Sequence, residues 1–424
     1  MRLLGNHRGA ITRIEQCATI SEWTANQGYD AGSTITLGPN GGILYTSGTG
    51  GNSGSMYSEK WVNAAQGGYW NITDQSINVA INVPRGTPTG ADAVEGISYL
   101  NLVFKDHASV TRSYKLFAPA VGAHSHSGHS VITFCEKDYT SQGAGFNPAQ
   151  IEKIFISTNK AAHDSYTSTT AQPTFELLSI WLETNLLNKG VLVFCADGGY
   201  AVTGKDSHAD LAAYLVTKGC RGNFFVSRND IGNAQKITLA QCQAMYAAGH
   251  VIGNYAYAPS SGGTYWFTNN DYGKKLAFEY NRQWLVANGM PAGARVVSTP
   301  GSGWSVDDET NLGNYIDSCG SNWHQCQSHR IVPWNGLRMP FFSFSEGNFL
   351  DLNNGTDYAN TATGACAILA ATKGVAMCFT HGNDDATIAS FKAMADAAAA
   401  RIAANNDIVV LTMLDLIAGR VPLA

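Results

Sequence analysis

Two residues stand where acid–base chemistry could be assembled. Asp197 ends the apolar run Val191-Leu192-Val193-Phe194-Cys195-Ala196 and precedes Gly198-Gly199-Tyr200. His381 ends a second run, Val375-Ala376-Met377-Cys378-Phe379-Thr380. A carboxylate and an imidazole form a proton-transfer pair if they come within hydrogen-bond reach; otherwise Asp197 orders the loop after its strand and His381 is packing. Two histidine clusters invite a metal reading. His124-Ser125-His126-Ser127-Gly128-His129 has no nearby Cys or carboxylate, and reads as a solvated loop. Trp323-His324-Gln325-Cys326-Gln327-Ser328-His329 offers one Cys and two His but no fourth ligand at zinc spacing, and also reads as a loop. The Gly/Ser-rich run from Thr46 to Ser55 lacks the Gly-Lys-Ser/Thr ending of a phosphate loop.

The elements that must position Asp197 and His381 are legible around them. After the first apolar run comes a helical segment, Asp210 to Val216, stopped by Gly219. A second strand, Gly222 to Val226, follows. A helix from Thr238 to Ala248 ends at Gly249, and a third strand opens at His250-Val251-Ile252-Gly253-Asn254-Tyr255. Near the end, the Ala-rich stretch Phe391 to Ala404 reads as a helix before a last strand, Ile408 to Met413. Short apolar runs alternating with helical periodicity predict βα units around a parallel sheet.

From Gly190 onward this order resembles the polysaccharide deacetylases of the NodB-homology type, carbohydrate esterase family 4. That family's first strand ends in Phe-Asp-Asp-Gly-Tyr, with the first Asp as general base and the second as metal ligand. Without a gap, the motif falls on Ala196-Asp197-Gly198-Gly199-Tyr200, making Asp197 the base and replacing the ligand by Gly198. A shift of one residue would make Asp197 the ligand and Ala196 the lost base. The family's Gly-Asn-His-Thr-x-x-His matches at Gly253 and Asn254, but its two His positions hold Tyr255 and Pro259. Its Arg-x-Pro-Tyr motif aligns with Ser298-Thr299-Pro300-Gly301, so Arg and Tyr are absent. The late strand ending in a His does match, at Val375 to His381.

The resemblance implies a distorted (β/α) barrel over 188–424 with a degenerate site. In the family a divalent metal, commonly zinc, polarises the acetyl carbonyl and acidifies its bound water. Zinc needs about three protein ligands and an open position, so the expectation is that no metal or other cofactor is bound. Barrel ligands are met by loops at the C-terminal ends of strands. The expected catalytic candidates are therefore Asp197 and His381, and the expected glycan contacts are Tyr200, Asn254, Tyr255, Thr299, Asn383 and Asp384.

Residues 1–187 read differently. Candidate strands cover Ser33 to Leu37, Gly42 to Thr46, Ser76 to Val83, Ile97 to Lys105, Thr111 to Phe117, Ser130 to Cys135, Ile151 to Ser157 and Thr174 to Leu182. Clusters of Gly, Pro, Asn and Ser separate them. This predicts an antiparallel β-sandwich. The late run from Gly145 to Thr158, followed by Pro173 to Leu182, resembles a jelly-roll carbohydrate-binding module. Trp61, Tyr69 and Trp70 lie near its early strands. A sugar ring stacks on an exposed aromatic face, so Trp61 and Trp70 are the expected contacts of this module, although a Trp in a sandwich is more often core.

Composition bounds the rest. With 424 residues, the chain suits two domains. A net charge of −5 without Lys/Arg clusters argues against nucleic acid as the main ligand. No apolar run reaches the roughly 20 residues of a membrane span. The N-terminus lacks an apolar h-region, so no secretory signal is expected, and nine scattered cysteines read as buried thiols made in a reducing cytosol. Charged residues make up only 14% of the chain, well below the usual quarter or so, with Gly, Ser, Thr and Asn filling the surface.

These features together lead to the expectation of a glycan-recognising protein. It would be assembled in a cytosol and act outside it, in a virion or phage tail that contacts bacterial surface polysaccharide. Its partners would be other virion or tail proteins and further copies of itself. Two other functions remain open: an active deacetylase or esterase using Asp197 and His381, and a purely structural assembly protein.

Overall fold

A computed structural model describes residues 11–15, 17, 19–25, 32–46, 53–58, 69–83, 99–117, 128–136, 139, 141–159, 174–184, 187–255, 271–298, 318–320, 341–344, 361–418, 420 and 422. The chain divides into two compact units, with the boundary between Asn185 and Leu186.

The first unit is built from β1 (Ile11–Glu15), β2 (Trp23–Ala25), β3 (Thr34–Leu37), β4 (Ile43–Thr46), β5 (Ser53–Ser58) and β6 (Gln75–Val83). These are followed by β7 (Tyr99–Asp106), β8 (Thr111–Phe117), β9 (Gly128–Cys135), β10 (Ser141–Gln142), β11 (Ile151–Asn159) and β12 (Thr174–Thr184). They form two six-stranded antiparallel sheets. One runs β3-β4-β12-β6-β9 with β1 also on β12, and the other runs β10-β8-β7-β11-β5-β2.

Alternation decides which face each strand buries. Ile77, Val79 and Ile81 of β6 point one way, as do Leu102 and Phe104 of β7 and Ile154 and Ile156 of β11. Residues of both sheets belong to a single buried cluster, with Tyr45, Phe104, Tyr114 and Phe175 as its largest members. Phe104 and Tyr114 meet edge to face, with centroids 5.8 Å apart.

Two buried charges in this unit are satisfied locally. Glu176 accepts from the backbone N–H of Asn40 (2.9 Å) and Gly42 (3.0 Å) and from the Asn40 side chain (2.6 Å). Burial acts against its ionised form, but these donors prevail and hold its pKa below the usual value. Arg112 is paired with Glu136 and stacked at 4.5 Å on Tyr139 and 4.4 Å on Phe146.

The second unit alternates strands and helices. The order is β13 (Gly190–Asp197), α1 (His208–Thr217), β14 (Gly222–Val226), α2 (Leu239–Ala247), β15 (Val251–Tyr255), α3 (Asp271–Ala287), β16 (Val296–Ser298), β17 (Ser318–Gly320) and β18 (Phe341–Phe344). Then come α4 (Ala362–Thr372), β19 (Val375–Thr380), α5 (Asp385–Asn405), β20 (Ile408–Val410) and α6 (Met413–Ile417). The strands form one parallel sheet, β17-β16-β15-β14-β13-β19-β18, with β20 beside the start of β13.

Helix starts follow from local chemistry. Ser207 with Asp210, Thr238 with Gln241 and Thr412 with Asp415 each form a reciprocal capping box, and Asp384 caps α5. β13, β14, β16 and β19 are buried on both faces, which is why they read as unbroken apolar runs. Leu192, Phe194 and Ala196 pack outward against the helices with Leu211, Leu215 and Phe391. Val191, Val193 and Cys195 pack on the other face with Phe225, Val296, Met377 and Phe379.

That second face is concave. Asp197 continues the phase of Val191, Val193 and Cys195, and its carboxylate meets the Ser298 hydroxyl at 2.5 Å. In strand order β16 lies three steps from β13, a span of about 14 Å in a flat sheet. Only a curled sheet brings the two side chains together, so this is a curled parallel half-barrel. Cys195, Cys220, Cys242, Cys366 and Cys378 are buried free thiols, and Cys17 is buried as well. Among the described residues no helix is long and apolar enough to cross a membrane.

Candidate functional site

The C-terminal ends of β13, β15, β16 and β19 carry Asp197, Tyr255, Ser298 and, one residue beyond Thr380, His381. Asp197 is 1% exposed and Ser298 is 1% exposed. The Ser298 hydroxyl donates to Asp197 Oδ2, so one oxygen of the expected base is already engaged inside the half-barrel.

The loop after β13 is fixed by a short ladder. Ala201 N–H donates to Gln235 O (2.7 Å), Ile237 N–H to Gly199 O (2.9 Å) and Gly198 N–H to Phe225 O (3.0 Å). The ladder places Lys236 beside Tyr200. The Lys236 ammonium donates to Gly198 O at 2.6 Å, lies 3.7 Å from the Tyr200 ring centroid and sits 3.6 Å from Asp230. Burial lowers the Lys236 pKa, and Asp230 opposes that shift.

Gly198 has φ +85°, and a Cβ built there would lie 2.7 Å from Tyr200 Cε2. A side chain at this position would meet both backbone strain and the aromatic ring.

His208 is the other polar group packed here. It begins α1 and is fully buried. Its Nε2 lies 2.7 Å from His381 O, which only a protonated Nε2 can satisfy, so Nε2–H donates. Its ring sits 6.0 Å from that of Tyr200, and Tyr200 is 6.4 Å from the His381 ring, both edge to face. Burial pushes the His208 pKa down to about 4, the bond to His381 O opposes this, and nearby Lys236 and His381 lower it further. The imidazole is therefore neutral at pH 7 and holds the His381 backbone.

The expected site residues separate in space. Tyr200 and His381 come together, both half-buried. Tyr255 is half-buried against the inner apolar cluster. Asn383 is exposed.

Asp384 is committed to its helix. It accepts from Thr387 N–H at 2.9 Å, and that bond holds its pKa below the usual value. The expectation for Asn254 is corrected. It is fully buried, its amide donates to Phe278 O (3.0 Å), and its carbonyl accepts from Asn281 (2.9 Å). It pins α3 to β15 and cannot face a ligand. Trp70 is also mainly a packing residue, half-buried against the core of the two-sheet unit. Trp61 and Thr299 lie outside the described residues, as do Pro259, residues 124–127 and residues 323–329.

Sequence reasoning missed Ser298, Lys236 and His208. Ser298 stands one residue before the Thr299 that was expected, a difference of strand register. Lys236 lies in a polar loop with no local signal. His208 lies just before the expected helix from Asp210, and nothing in the sequence pattern marks it as buried against His381.

At the described positions the donors do not fit the resembled family's metal. The ungapped ligand position is Gly198, where the Tyr200 ring occupies the space a side chain would need. Tyr255 is a poor neutral ligand, and in the shifted register Asp197 would be left as a lone carboxylate ligand at these positions. Among the described residues no three His, Cys, Asp or Glu side chains converge as a metal site would require.

No protein-family model matches the chain, and no curated protein sequence matches it. Several solved structures are similar over part of it. A peptidoglycan deacetylase, PdaC from Bacillus subtilis, is 9% identical over 55% of this chain and 93% of its own, with a TM-score of 0.35. A family 4 carbohydrate esterase from Bacillus anthracis is 12% identical over 55% of this chain and 86% of its own, with a TM-score of 0.34. An agarase is 10% identical with a TM-score of 0.30, and there the match spans only 30% of the agarase. With these TM-scores below 0.5, the fold and the site stand on the chain's own geometry.

Proposed function

We propose that this chain recognises glycans without hydrolysing them. In this reading the half-barrel is a polysaccharide-deacetylase-like domain that has lost the metal site of the family it resembles. The two-sheet unit is a jelly-roll module that binds carbohydrate, and the protein serves a phage tail or virion by contacting bacterial surface polysaccharide. The tail assignment rests on composition and the pairing of the two domain types.

The observation that carries the non-hydrolytic reading is at Gly198. Tyr200, with the Lys236 ammonium over its ring, fills the space beside the backbone where a ligand side chain would have to project. Losing a metal removes stabilisation of the transition state but need not remove ground-state binding. Tyr200, His381, Tyr255 and Asn383 leave half-exposed or exposed aromatic and polar groups at the strand ends, which suits a sugar chain. Weak single sites gain strength when several copies engage one polymer.

The test is binding of purified chain to an array of bacterial surface polysaccharides, alongside a Tyr200→Ala, Tyr255→Ala double variant. Retention of a polysaccharide by the wild type, weakened in the variant, is expected. Equal binding by both would move recognition away from the half-barrel. Release of acetate from an acetylated polysaccharide would overturn the non-hydrolytic reading.

A further inference from the structure

A second, independent group of half-exposed rings lies on the two-sheet unit. Trp70 and Ile151 exchange both backbone hydrogen bonds (3.2 and 2.9 Å), tying residues 69–70 to the start of β11. Trp70 packs toward the core, so the preceding Tyr69 projects the other way, as alternation in an extended segment requires. Its ring lies on the His107 imidazole, with centroids 4.7 Å apart and planes at 41°.

His107 belongs to the turn between β7 and β8, and its N–H donates to Gln150 O at 3.0 Å. The Asp106 carboxylate fastens the same turn, accepting from Val110 N–H and Asn147 N–H, each at 2.8 Å. The β11–β7 pairing shifts register between Ile151 and Lys153. Glu152 is the extra residue of that bulge, a device that re-aims a side chain, and its Oε2 lies 3.5 Å from His107 Nδ1.

We propose that Tyr69, His107 and Glu152 form a subsite for an uncharged pyranose. This deepens the glycan-binding reading and rests on it. The two rings present a ledge for the apolar C–H face of a sugar. Glu152 accepts hydroxyl hydrogens at its edge, and its negative charge disfavours uronates and other anionic sugars. The His107 side chain is 58% exposed and that of Glu152 26%, so their mutual attraction is weak and a ligand hydroxyl can compete for the carboxylate. Backbone bonds already fix all three chain segments, so little ordering is required on binding.

The experiment is calorimetric titration of the full chain with cellohexaose, chitohexaose, agarohexaose and hexagalacturonate. Wild type is compared with Tyr69→Ala, Tyr69→Phe, Glu152→Gln and, for the half-barrel, Tyr200→Ala. At least one neutral hexasaccharide is expected to bind. Its affinity should fall severalfold, up to about tenfold, in Tyr69→Ala, the size expected for a lost aromatic contact, and severalfold in Glu152→Gln, with little change in Tyr69→Phe and Tyr200→Ala. If thermal melting shows that Tyr69→Ala is unfolded, Glu152→Gln carries the test. Three results would overturn the subsite: neutral probes bound equally by wild type, Tyr69→Ala and Glu152→Gln, hexagalacturonate bound as tightly as the neutral probes, or no neutral probe bound. Binding that is lost only in Tyr200→Ala would reject this subsite while leaving glycan recognition by the half-barrel intact.

Discussion

Ser298 donates to the Asp197 carboxylate at 2.5 Å although the two residues end strands that are not neighbours. The bond is a chord across the concave face of the half-barrel, and it makes Asp197 part of the frame. The carboxylate is 1% exposed, and the Ser298 hydroxyl engages one of its two oxygens.

Replacing Ser298 by Ala therefore acts on stability. It removes a hydroxyl donor from a buried carboxylate, which costs about 1–3 kcal/mol. Urea unfolding of Ser298→Ala and wild type measures this directly. A difference below about 0.5 kcal/mol, the scale of an ordinary surface change, would show that the chord carries no load.

Acid should destabilise the half-barrel in a defined window. His208 and His250 are buried, and burial lowers the pKa of each from 6.5 to about 4. The unfolded chain then binds more protons than the folded one between about pH 6.5 and 4. Stability is intact above 6.5 and falls as pH drops toward 4, by up to roughly 3 kcal/mol per histidine. Unfolding curves from pH 7 to 4 should show this slope. His208→Gln, which can still donate to His381 O but takes up no proton, should flatten it; an unchanged slope would remove His208 from the account.

Placing an aspartate at position 198 should not create a metal site. Gly198→Asp places a side chain at φ +85° against the Tyr200 ring, and the backbone strain alone costs about 1–2 kcal/mol. The variant should melt lower than wild type and hold well under one zinc per chain by elemental analysis. Stoichiometric zinc in wild type or variant would contradict the reading of Gly198.

The buried thiols should be inert in the folded protein. Burial raises the Cys220 and Cys366 pKa values to about 11 and that of Cys242 to about 12, and pushes Cys195 and Cys378 well above the usual thiol range. Because the thiolate is the nucleophile, alkylation at pH 8 mapped by peptide mass spectrometry should reach these five cysteines only after denaturant is added. Rapid native labelling of any of them would mean that its strand or helix opens readily.

Much of the framework was legible in the chain alone. The apolar runs ending at Asp197 and Thr380 and the alternation in β6, β7 and β11 depend on neighbours within a few residues. Local periodicity therefore reports them. The Gly/Ser-rich run from Thr46 to Ser55 reads as a loop in sequence, yet β5 begins at Ser53, because Ser and Gly give little apolar contrast. The expected strand Ile408 to Met413 stops at Val410, because Thr412 and Asp415 cap a helix that begins at Met413.

The site was decided elsewhere. Asn254 carries a family motif in sequence, yet its amide is consumed by Phe278 and Asn281 inside the fold. Lys236 gains its place only because residues 235–237 pair with the loop after β13. Asp197 and Ser298 lie 101 residues apart, and nothing local relates them. Sequence determined which segments become strands and helices, because hydrogen bonding and burial patterns repeat over short distances. The curl of the sheet, a property of many strands packed together, decided which side chains meet.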